Sequence, residues 1–279
     1  MEVLRAITVS AGSAPVEHTS SLLTDLRAGL KGLRIGLVRH FHEEDSTADA
    51  RIVAGLDAAV SILRELGAAI DDVRLSPLSV WANCGRTIQQ AEQYVVHEQW
   101  LRGRPQDYCE ASRSRLIAGA SLTASDYIRA LQTRRVLCEE FADVMRCFDA
   151  VVTLSSFEFP CPLDDEAAMS RTYMRHARMP FNVTGTPAMA LPVGFADNGM
   201  PLGIQVASKA FDEAMLYRIG WAYEDATRRV ERRPELPPPE HATHPPRSSR
   251  TSPLMPRPII LRTGRGSGDV GQSLHDASG

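Results

Sequence analysis

The chain has 279 residues and a formal net charge of −3 at pH 7, with 43% apolar and 23% charged residues. That is long enough to bury a real core, ordinary for a soluble globular protein, and too close to neutral for a global field that would gather nucleic acid or anionic membrane. No apolar run approaches the roughly 20 residues of a membrane span. Met1–Ser10 lacks a signal-peptide core, and Cys84, Cys109, Cys138, Cys147 and Cys161 contain no C-x-x-C pair, so a cytoplasmic protein with reduced cysteines is expected.

Residues 1–30 are weakly patterned. The apolar run Leu33–Val38 reads as a buried strand. Asp45, Ser46 and Thr47 offer N-cap oxygens to a helix over Ala48–Leu66, where Ile52, Leu56, Ala59, Val60 and Leu63 recur at helical spacing and Gly67 is a natural stop. Ala69–Leu75 alternates like a second strand, giving a strand–helix–strand unit of the parallel crossover kind. Helical patterns follow over Pro77–Leu101, Pro105–Ala118 and Ala124–Cys147. Phe148–Leu154 reads as a short buried strand and Ser155–Pro162 as a loop. Pro187–Val193 and Gly203–Val206 read as strands joined by the turn-like Ala196–Gly199. A last helix spans about Phe211–Arg228. From residue 230 to 279 the chain is rich in Pro, Arg, Ser and Gly. It carries too little apolar surface to offset the entropy of ordering and is expected to be a disordered tail, with residues 1–229 forming the folded domain.

The most informative segment is Pro180-Phe181-Asn182-Val183-Thr184-Gly185-Thr186-Pro187-Ala188-Met189-Ala190-Leu191-Pro192-Val193-Gly194-Phe195. Asn182, Thr184 and Gly185 put polar side chains and a permissive backbone just before a buried strand. Pro187 and Pro192 bracket that strand tightly. Gln205 sits in an otherwise apolar strand, where its amide needs partners. These features describe a packed polar junction without specifying a reaction.

The segment resembles the amidase signature family, which carries P-F-N-x-T-G-x-P-A-x-x-x-P-x-G-F, then G-x-P-x-G-x-Q (here Gly199–Gln205), then a phenylalanine–acid–Glu helix start (here Phe211-Asp212-Glu213). Gly29–Val38, Arg115–Tyr127 and Phe148–Thr153 are similar to further family stretches, and Leu4–Ile7 to the end of the segment before them. The resemblance covers roughly residues 3–228. It implies an α/β/α sandwich around a mixed sheet and hydrolysis or transfer of carboxylic amides, with no cofactor and no metal. In the family a lysine activates a serine through a bridging serine held in a cis peptide, because an unassisted hydroxyl is a weak nucleophile. A glycine–serine run supplies the oxyanion donors.

That run is absent from this sequence, whose two lysines are Lys31, before a strand, and Lys209, after one. The chain therefore resembles the C-terminal half of the family, without its catalytic serine and lysine, and is expected to be inactive alone. Such a half would leave a sheet edge and apolar surface uncovered. Its expected partners are a small-molecule amide once the missing half is supplied, and a second copy or a partner chain. A non-catalytic assembly module and a protein like the A-subunit of the tRNA-dependent amidotransferases are the alternatives. The branch acting on misacylated tRNA carries an acid about one turn before the P-x-N motif, where this chain has Arg175, His176 and Arg178, which favours a general amidase.

The resemblance also implies that Arg115, in the R-x-x-x-G motif, holds a polar end of the substrate, a role suited to a guanidinium. A surface ion pair is its rival account. Ser155 and Ser156 follow a strand but lack a G-x-S-x-G elbow. His176 with Asp164, Asp165 or Glu166 could pair as a base, but a histidine on a solvated loop is the simpler reading. The residue types of His40–Glu44 suit a metal, yet alternation at a strand end accounts for them.

Overall fold

The computed structural model describes residues 25–228 except Asn198, and Glu231. Its centre is one five-stranded mixed sheet in the order β2-β1-β3-β5-β4, built from β1 (Arg34–Leu37), β2 (Ala69–Asp72), β3 (Ala150–Leu154), β4 (Ala188–Phe195) and β5 (Pro201–Ser208). β1 pairs in parallel with β2 and β3, while β5 runs antiparallel to both β3 and β4. The expected crossover is present: α1 (Ala50–Glu65) links β1 to β2 and buries Ile52, Leu56, Ala59, Val60 and Leu63. All five residues of β3 are buried, as the middle of a covered sheet requires.

Two long helices, α2 (Leu78–Gly103) and α4 (Ala124–Cys147), pack together beside the sheet, with the short α3 (Glu110–Ile117) between them in sequence. Thr123 and Asp126 form a reciprocal capping box that starts α4. The chain then passes through α5 (Glu166–Met174) and α6 (Met179–Thr184) to the β4–β5 hairpin. It ends in α7 (Glu213–Thr227), which packs on β4 and β5 as α1 does. In the hairpin turn Gly199 adopts φ +80° and donates to Ala196 O.

Several boundaries differ from expectation for physical reasons. The cap of α1 is Asp49, whose carboxylate takes the Arg51 N–H at 2.9 Å. Asp45 is drawn elsewhere, accepting from Leu78 N–H at 2.7 Å and so capping α2. The 105–118 stretch divides into a 3₁₀ turn (Pro105–Asp107) and α3, and a further 3₁₀ turn (Ala118–Ser121) follows. Phe41–Asp45 forms a π-helical turn that buries His40 and His42, so alternation on a strand end is corrected. The short α5 carried no periodicity strong enough to be read. No helix among the described residues is long and apolar enough to cross a membrane. The tail expected to be disordered lies outside the described residues apart from Glu231, as does Leu4–Ile7.

Candidate functional site

The junction read from the sequence is a helix followed by a hairpin. Pro180 lies in the first turn of α6, where its missing N–H costs nothing. Phe181 is buried, with its ring 6.0 Å from that of Phe141 at 73°, an edge-to-face contact that locks α6 to α4. The Thr184 hydroxyl back-bonds to Pro180 O at 3.0 Å and meets Thr186 Oγ1 at 2.8 Å. Gly185 closes the helix at φ +71°, its N–H reaching Phe181 O at 2.9 Å, a left-handed cap that a side chain would strain. Arg134 of α4 donates from Nε to Val183 O at 2.7 Å and satisfies the end of α6.

Pro187 O accepts from Ser208 N–H at the hairpin base. Pro192 lies on β4, which is an end strand of the sheet, and a register shift separates it from Gly194. Gly203 faces Pro192. Gln205 is 5% exposed and finds two partners: Nε2 donates to Leu154 O at 3.1 Å and to Ala177 O at 2.6 Å. One amide thus ties β5, the end of β3 and the segment between α5 and α6.

That segment borders two of three adjoining clefts. The largest, about 790 Å³, opens between α2, α3 and the residues around Tyr173–Met179. Two of about 360 Å³ each flank Asn182, and Gln89 and Met179 border all three. Asn182 is exposed at the mouth of the smaller pair.

Arg115 borders the largest cleft, its guanidinium 5.0 Å above the Tyr173 ring. The rival ion pair is absent among the described residues, and the cation–π contact stands in its place. The spacing from Arg115 to Gly119 has a steric cause. A Cβ on Gly119 would lie 2.2 Å from Gln90 O, so only glycine lets this turn press against α2 and bring Arg115 to the cleft.

His176 is half-buried and borders two of the clefts, which corrects its placement on a solvated loop. Ser156 and His176 form an isolated antiparallel bridge. The ring Nδ1 accepts from Arg178 N–H at 3.2 Å, which leaves the proton of the neutral ring on Nε2. Burial, and then the charges of Arg178 and Arg86, push its pKa down to about 4. Ser155 borders the same cleft, but no hydrogen bond joins its hydroxyl to His176 among the described residues, and an imidazole of such low basicity is a poor activator of serine. Asp165 is spent capping α5 through Ala168 N–H at 2.8 Å, and Asp164 and Glu166 make no pair with His176. No cluster of three metal-ligating side chains occurs among the described residues, His40–Glu44 included.

Sequence reasoning missed Arg86, Gln89, Gln93 and Tyr173 as cleft residues. A signal existed for the first three, since Ala82, Arg86, Gln89 and Gln93 recur at helical spacing and set small and polar groups along one stripe of α2.

A family model described as Amidase matches residues 3–217. The chain is 30% identical over 254 residues to the A-subunit of glutamyl-tRNA(Gln) amidotransferase from Chloroflexus aggregans, covering 80% of this chain and 50% of that protein. It is 29% identical over 237 residues to the protein of the same name from Limosilactobacillus reuteri, covering 74% and 47%. Among solved structures it superposes on 6-aminohexanoate cyclic dimer hydrolase with a TM-score of 0.65 at 21% identity, covering 77% of this chain and 49% of that one. A structure described as an amidase gives 0.62 at 24% identity, covering 71% and 46%. The structural likenesses establish the fold. The chain spans about half the length of the curated relatives it matches.

Proposed function

The chain belongs to the amidase family, and from that premise we propose that it forms the substrate-facing wall of a carboxylic-amide hydrolase whose nucleophile, bridging serine and lysine come from residues outside this chain. The observation that carries the reading is the cleft itself. Helix α6 and Gln205 of β5 are built to family pattern, the latter held by buried hydrogen bonds, yet the depression they border contains no activated nucleophile among the described residues. Arg115 and Tyr173 then orient a polar end of the amide, and Asn182 presents donor and acceptor groups at the mouth.

The test is hydrolysis of a chromogenic anilide such as 4-nitroacetanilide. The purified chain alone gives no turnover above buffer. A polypeptide extended by the reading frame immediately upstream, which on this proposal encodes a glycine–serine run and a lysine, gives turnover that the Arg115→Gln variant reduces mainly through a higher KM. Robust hydrolysis by the purified chain alone, surviving further purification, overturns the proposal. So does a catalytic polypeptide indifferent to Arg115.

A second reading follows from the names of the curated relatives, which are tRNA-dependent amidotransferase components. Arg175 stands against it, because it occupies the neighbourhood where that branch carries an acid and is itself engaged by Glu158 at 2.6 Å. Glutamine-dependent ammonia release on mixing with a misacylated tRNA and the other amidotransferase components decides for it; its absence, with anilide hydrolysis present, decides for the general amidase.

A further inference from the structure

The largest cleft is lopsided in charge. Arg86 and Arg115 border it together with His176, and Arg178 stands on the neighbouring cleft that His176 also lines. The one acid among the described residues lining the largest cleft, Asp45, already accepts the Leu78 N–H at 2.7 Å at the start of α2. Arg86 is half-buried as a residue and its side chain makes no ion pair or hydrogen bond among the described residues; Arg178 is exposed and its side chain is equally unpartnered. Several arginines elsewhere in the molecule are engaged: Arg39 with Asp57, Arg74 with Glu44, Arg134 with Val183 O, Arg218 with Gly29 O.

We propose that Arg86 and the Nε2–H of His176 form an anion-recognising end of this cleft, with Arg178 adding its charge from the neighbouring cleft that His176 also lines, and that this end takes the carboxylate of a small amide substrate. The proposal rests on the reading of the cleft as a substrate wall, and it deepens that reading by naming the substrate class. Four physical points support it. An arginine on a cleft wall without a counter-charge is an open demand that a carboxylate fills with two parallel hydrogen bonds. The His176 ring, fixed by the Arg178 N–H on Nδ1, turns a donor and not an acceptor to the ligand. The basicity of that ring is depressed first by its burial and then by the charges of Arg178 and Arg86, which places both guanidinium groups near it. The cavity of about 790 Å³ admits a carboxylated amide with room for a chain between its two ends.

The experiment is calorimetric titration of the full chain with succinamate, its neutral analogue butanamide and inorganic phosphate at two salt concentrations. Succinamate binds at least 10-fold more tightly than butanamide, and its affinity falls as salt rises. R86Q and R178Q each weaken succinamate at least fivefold and leave butanamide unchanged. H176F weakens it while H176Q, which keeps a donor, restores most of the loss. R135Q, on an exposed turn of α4, changes nothing. Circular dichroism of each variant certifies the fold. Equal affinity for succinamate and butanamide, indifference to R86Q and R178Q, or phosphate binding as tight as succinamate overturns the proposal. The readout is binding rather than turnover, so failure of the hydrolase reading with carboxylate selectivity intact is distinguishable from the reverse.

Discussion

Replacing Gln205 with leucine isolates the hydrogen bonds that hold the cleft wall. The side chain is 5% exposed, and its Nε2 serves Leu154 O at 3.1 Å and Ala177 O at 2.6 Å. Leucine is close in volume, so packing is nearly kept while both carbonyls lose a donor. An unsatisfied buried carbonyl costs about 1–3 kcal/mol; the extra apolar burial returns on the order of 1 kcal/mol. For the two carbonyls together the balance is a loss of about 1–5 kcal/mol, centred near 3. With an m-value of roughly 2–3 kcal/mol/M in urea, the midpoint falls by about 1 M. The measurement is equilibrium urea unfolding followed by circular dichroism, with m unchanged. Gln205→Glu separates bonding from volume. Its carboxylate can donate only when protonated, so the variant is more destabilised at pH 8 than at pH 5. A leucine variant whose midpoint moves by less than about 0.2 M would refute the reasoning, because it would mean that the amide does not hold the segment around Ala177 to the sheet.

Gly119→Ala forces a Cβ to within 2.2 Å of Gln90 O and 2.6 Å of Tyr94 Cβ, so backbone must move. The expected loss is about 2 kcal/mol, read as a fall in melting temperature of about 4–8 °C. Thr123→Ala removes the hydroxyl half of the capping box that starts α4 and lowers stability by about 1 kcal/mol in the same melts. His176 titrates at about 4 in the fold, below its ordinary value near 6.5, because burial and then Arg178 and Arg86 disfavour the charged ring. The unfolded chain therefore binds the proton first. Stability is full above about pH 6.5 and declines as pH falls from there to about 4, by about 1–2 kcal/mol once solvent screening is allowed for. The difference between native and His176→Gln urea profiles measures this, and parallel profiles across that window would count against it.

Periodicity carried most of the fold. Helix α1 announced itself because its apolar residues face a sheet on one side only, and α4 began and ended where its pattern did. Local signals failed where a distant partner decided. Asp45 looked like a cap for the next helix but was claimed by Leu78, 33 positions away. His40 and His42 alternated as a strand does, yet a π-helical turn buried both. In the candidate site, the Pro180–Gly194 motif and Gln205 were legible because proline, glycine and a buried amide are costly unless used. Arg86 and Tyr173 were not, since an arginine or tyrosine on an amphipathic helix is ordinary until the cleft it borders is known.

The segments that line the cleft share a division between anchored bases and unpartnered tips. Helix α2 is fixed through buried Trp81 and Cys84, and α6 through Phe181 and Val183, while Arg86, Gln89 and Asn182 are left towards the opening. Those tips are open to solvent while the cleft is empty. Whatever closes it removes that solvent, and a guanidinium closed off without a counter-charge costs several kcal/mol. A purely apolar occupant would incur this penalty at Arg86, whereas a ligand with its own carboxylate would remove it and gain a charge-assisted bond. On the proposed reading, selectivity arises less from added attraction for the right ligand than from a cost imposed on the wrong one, and that cost is set by anchors already in place before any ligand arrives.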